Sequence, residues 1–132
     1  MKQRPSMSSG MVSMPNERAG DVRVQFTHEF KRNLRALARR YRHIRSDVQP
    51  IIERLQAGET PGSQVPGTGF TLFKVRVTNS DIEKGKRSGY RIIYYLKTPT
   101  EVILVTIYSK LDQSDISSLQ LRRLLSDIED TQ

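Results

Sequence analysis

Cysteine is absent from the sequence, so disulfides and thiolate zinc sites are excluded. Histidine is almost absent: His28 and His43 are too few for a histidine-rich metal centre. Long apolar runs are missing as well. The longest, such as ILVTIY, fall far short of a bilayer's thickness. Behind Lys2 and Arg4 come Ser, Gly and Met rather than the apolar stretch of a secretory signal. The expectation is a cytoplasmic protein with no membrane contact. GxSxG, HExxH and P-loop motifs are lacking, and no carboxylates pair at an obvious spacing. Nothing implies a cofactor or a metal.

What is present is strongly basic. The 132 residues hold 22 Lys and Arg against 14 Asp and Glu, a formal net charge of +8. That length suits one domain able to bury a core without staples. Such a charge concerns partners rather than fold. Nucleic acid is the first candidate and an acidic protein surface the second.

Residues 1–20 are rich in Ser, Met, Gly and Pro and show no period, which reads as a flexible tail before a domain at residues 21–132. In DVRVQF, Val22, Val24 and Phe26 alternate with polar residues, the pattern of a half-buried strand. Phe30, Leu34, Leu37, Tyr41 and Ile44 recur at helical steps behind Thr27 as N-cap. Arg32, Arg35, Arg39, Arg40 and Arg42 fall on the other face. A second helix is predicted with Ser46 and Gln49 at capping-box spacing, Pro50 in its first turn and Gly58 closing it. ETPGSQVPGTG reads as a loop.

Three strands come next: FTLFKVRV, YRIIYYLK and EVILVTIYSK. The second is apolar on both faces, as a central strand should be. A last helix starts at Ser117 and Gln120, again at capping-box spacing, and carries Leu121, Leu124, Leu125 and Ile128. The order predicts a compact single α+β domain. It has an antiparallel sheet, two N-terminal helices and a C-terminal helix, with helices covering one side.

Two features bear on chemistry. The loop NSDIEKGKRSG brings Lys84, Lys86 and Arg87, with Gly85 and Gly89 permitting close backbone approach. It reads either as a solvated basic turn or as a ligand loop. Arg91 stands in an otherwise apolar strand, on the face of Ile93 and Tyr95. It needs a carboxylate such as Asp112 or Asp115, or an anionic ligand suited to its planar fork. Alternation puts Thr106, Tyr108 and Lys110 together at the end of the next strand. Neither histidine falls near the basic loop. Any cleavage would rest on positive charge, with lysine or tyrosine moving protons.

Together, KGKRSGYRIIYY, the strand ending IYSK and the segment DQSDI resemble the RelE/ParE superfamily of type II toxins, nearest its HigB-like branch. The resemblance implies a metal-independent, ribosome-dependent mRNA endoribonuclease that inhibits translation. It would partner a cognate antitoxin in a hetero-oligomer. By position, Arg91 would hold the scissile phosphate, and Lys84 and Lys86 would bind the backbone and move protons. Leu111 and Ser117 stand where RelE has arginine and tyrosine, which leaves Tyr108 and Lys110 as substitutes. Arg87, Lys74, Arg76, Arg35 and Arg39 would contact RNA. The same resemblance admits a ParE-like gyrase inhibitor, or a non-catalytic relative that binds RNA or an antitoxin.

Overall fold

A computed structural model describes residues 21–82, 89–113 and 115–131. The expected tail and the loop residues Lys84, Gly85, Lys86 and Arg87 lie outside the described residues. The alternating DVRVQF stretch forms strand β1 (Arg23–Phe26). Thr27 then caps helix α1 (His28–Ala38), its hydroxyl oxygen accepting from the Phe30 amide at 2.9 Å. Helix α2 (Ile44–Gln56) ends in a Schellman turn. There Gly58 takes a φ of 92°, and the Glu59 amide donates to the Arg54 carbonyl. Strands β2 (Ser63–Val65), β3 (Leu72–Val77), β4 (Tyr90–Thr98) and β5 (Glu101–Ser109) come after it, then helix α3 (Ser118–Thr131).

These elements make one α+β domain with a five-stranded sheet in the order β1-β5-β4-β3-β2. The sheet is mixed. Strands β2 to β5 pair antiparallel, but β1 lies parallel to β5, with Phe26 opposite Leu104. The intervening helices carry the chain from β1 back to the sheet's far edge, so β1 and β5 need not alternate in direction. Ser63, Gln64 and Val65, inside the segment read as a loop, form the short edge strand β2.

Both sheet faces are covered, not one. Tyr90, Ile92 and Tyr94 of β4 join Phe30, Leu37, Ile44 and Leu55 of α1 and α2 in one core cluster. Ile93 joins Leu72, Val105, Leu121 and Leu125 in a second, beneath α3. A strand apolar on both faces needs cover on both, since each such side chain gains roughly 1.5–3 kcal/mol by burial. The start of α2 also differs from expectation. It begins at Ile44, and the Ser46 hydroxyl donates back to the His43 carbonyl. Pro50 therefore falls inside the helix, on an exposed position where its ring meets solvent.

Gly89 has a purely internal role. A Cβ there would strike the carbonyl oxygen of Val77, so the glycine admits the neighbouring strand rather than a ligand. Among the described residues, no helix is long and apolar enough to cross a membrane.

Candidate anion-binding site

The face of the sheet toward α3 carries a row of polar side chains at one end. Register places Arg76 of β3 beside Arg91 of β4, and Arg91 beside Tyr108 of β5. Lys74 lies two positions back along β3, and Lys110 just past the end of β5. The antiparallel pairings make β3 and β5 run the same way, so Lys74 and Lys110 lie diagonally on either side of Arg91. Their ammonium groups converge on one atom, the Asp115 Oδ1, at 3.2 and 3.4 Å. The Tyr108 hydroxyl donates to the same oxygen at 3.4 Å. Asp115 comes from the short segment between β5 and α3, and its side chain is 58% exposed.

Arg91 is only 6% exposed. Its Nη1 donates to the Tyr90 carbonyl at 3.2 Å, and no ion pair reaches it among the described residues. Burial first, and then the neighbouring Arg76, lowers its pKa, while Tyr108 and Asp115 favour its charged form. Of the two carboxylates expected to neutralise it, Asp112 pairs with Arg40 at 2.8 Å instead. Asp115 lends its field but spends its hydrogen bonds on the lysines. Those bonds, led by Lys74, hold the Asp115 carboxyl below its ordinary range. Tyr108 is pushed up, mainly by burial and then by Asp115. At neutral pH it is a hydrogen-bond donor, not a base.

Four cations thus share one sheet face with a single carboxylate. The arrangement can bind an anion with several oxygens, with the planar fork of Arg91 buried beside the two more exposed lysines. Of the residues expected to act together, Arg91, Tyr108, Lys110, Lys74 and Arg76 are brought onto one face. Arg35 and Arg39 are not, for they lie exposed on α1, across the sheet. Thr106 is also turned away. A register shift between Ile93 and Tyr94 breaks the alternation of β5, and Thr106 instead meets Asn33 of α1 at 3.1 Å.

Sequence reading missed Asp115 as the hub. Its number of partners depends on a tertiary convergence that no local spacing encodes. A separate pocket of about 550 Å³ lies toward the far end of α3, lined by Thr27, Glu29, Val105, Leu124 and Asp127 among others. It sets Glu29 and Asp127 against Arg32 and His28, and it shares no residue with the basic row.

No family model matches the sequence. Among solved structures, the chain is similar to TrmO from Pseudomonas aeruginosa, with 15% sequence identity and a TM-score of 0.42. The likeness covers 74% of this chain and 40% of TrmO. At that level it carries no argument about what the chain does. The resemblance to RelE/ParE toxins is nonetheless overturned. No family model, toxin or other, matches the chain. The readings as mRNA endoribonuclease, HigB-like toxin and gyrase inhibitor are withdrawn with it. The antitoxin, ribosome and mRNA partners lose the ground on which they stood.

Proposed function

We propose that this domain binds phosphate-bearing polyanions on the sheet face around Arg91, with a nucleic-acid backbone as the ligand. The observation that carries the reading is Arg91. A buried guanidinium without a carboxylate of its own is costly, and an apolar side chain of similar volume would fill the position better for stability alone. An arriving phosphate supplies the missing anion. Lys74, Arg76 and Lys110 extend the positive field beyond it, and the chain's charge of +8 favours attraction of polyanions from a distance. Tyr108, whose hydroxyl donates to Asp115, adds a neutral hydrogen-bond donor to the same face.

The test is fluorescence anisotropy of a labelled single-stranded oligonucleotide at about 50 and about 200 mM salt. Wild type is expected to bind, with affinity falling steeply as salt rises. Arg91→Met is expected to weaken binding by roughly ten- to a hundredfold, the loss of one charge-assisted contact of roughly 1.5–3 kcal/mol. A wild type that ignores the oligonucleotide, or an Arg91→Met protein that binds equally well, would sink the reading.

A further inference from the structure

We infer that Asp115 is a built-in occupant of the anion site. Its carboxylate sits where one phosphate group of the ligand belongs, and the ligand must displace it. This inference rests on the polyanion reading above.

The geometry of the convergence points to it. Lys74, Tyr108 and Lys110 all address a single oxygen, Oδ1 of Asp115. They come from β3 and β5, on either side of the strand that carries Arg91. A carboxylate oxygen and a phosphate oxygen accept the same donors, so the structure has the site's donors already gathered around an anion. Asp115 is not locked there. It belongs to the segment between two elements, is more than half exposed, and holds its partners at 3.2 to 3.4 Å, the long end of the hydrogen-bond range. Contacts of that kind exchange readily with water and with other anions.

The arrangement also sets a preference. A carboxylate ligand entering the site only replaces like with like, so an acidic peptide gains little over Asp115 itself. A phosphodiester offers two oxygens that share its charge, one for the lysines and one for the fork of Arg91. Asp115 and a bound phosphate cannot share the site, because like charges at that separation repel. The resident carboxylate therefore raises the threshold for every anion and favours those able to engage both sets of donors.

The experiment measures oligonucleotide affinity by anisotropy at one salt concentration for wild type, Asp115→Asn and Asp112→Asn. Each substitution removes one negative charge, but Asp112 pairs with Arg40 rather than with the lysines of the basic row. Asp115→Asn is expected to tighten binding on the order of fivefold, and Asp112→Asn to change it much less. Adding Lys110→Ala to Asp115→Asn should remove most of the gain. Equal effects of the two asparagine variants would overturn the inference, as would weaker binding by Asp115→Asn. If wild type binds in an Arg91-dependent way but Asp115→Asn adds nothing, only the displacement idea fails. If neither wild type nor Asp115→Asn binds, the polyanion reading fails with it. Thermal melts confirm that the exposed substitutions leave the fold intact.

Discussion

Arg91 separates function from stability at a single residue. If the guanidinium serves a ligand, it is a burden on the free protein. Arg91→Met should then raise the thermal midpoint by a few degrees, because it removes a desolvated charge and keeps most of the volume. Calorimetry of the two proteins without ligand decides the matter. A fall of many degrees would mean that Arg91 neutralises a structural partner instead. The oddity of this residue was legible in the sequence, since a charge in a strand apolar on both faces needs an explanation. Gly89 was not legible. A glycine that admits a ligand and one that admits a neighbouring strand look alike until the register with Val77 is known. Thr106 was misplaced for a related reason: strict alternation assumes an unbroken ladder, and one irregularity reverses the faces of the residues beyond it.

At the scale of elements, helix ends were readable where local chemistry sets them. Thr27 caps α1, and Ser117 with Gln120 forms a reciprocal capping box on α3, as the spacing predicts. The start of α2 was not readable, because a distant residue fixes it. Asp81 accepts from the His43 backbone N–H at 2.9 Å and meets the His43 ring at 2.6 Å. Asp47 in turn accepts from the Ser80 amide at 3.0 Å. These contacts clamp α2 to the segment after β3. The backbone bond from His43, and then its ring, hold the Asp81 carboxyl below its ordinary range. A carboxylate with a depressed pKa in the folded state contributes stability that is complete above about pH 4 and fades as pH falls through the lowered value. Asp81→Asn should therefore lower the melting temperature at pH 7, while the two proteins converge at about pH 2. A difference that persists undiminished in acid would show that the clamp does not act through the charge.

For the whole molecule, the net charge was plain from composition, but its distribution was not. Arginines on α1 and basic residues on β3 look equivalent in a sequence. In the fold they occupy opposite sides of the sheet, since α1 covers one face and the basic row lies on the other. Reversing Lys74 and Arg76 to Glu should weaken oligonucleotide binding by more than about tenfold, whereas reversing Arg35 and Arg39 should cost less than about threefold. Parallel salt titrations of the two double variants measure this, and equal losses would mean that binding follows charge alone. The α+β class was legible because each long element carries its own period. The parallel placement of β1 was not, because it pairs residues such as Arg23 and Glu101, far apart in sequence.

That long pairing has a consequence in time. The opening strand of the domain leaves the site of synthesis first, yet among the described residues its one sheet neighbour, β5, is the last strand made. Until then β1 has a free edge on both sides, and helix α1, which packs chiefly on β5, waits with it. The antiparallel ladder of β3, β4 and β5 joins neighbours in sequence and can form early, whereas joining the two ends of the domain must overcome the entropy of a long loop. Strand β1 thus finds its place late, only after the strands that follow it in sequence.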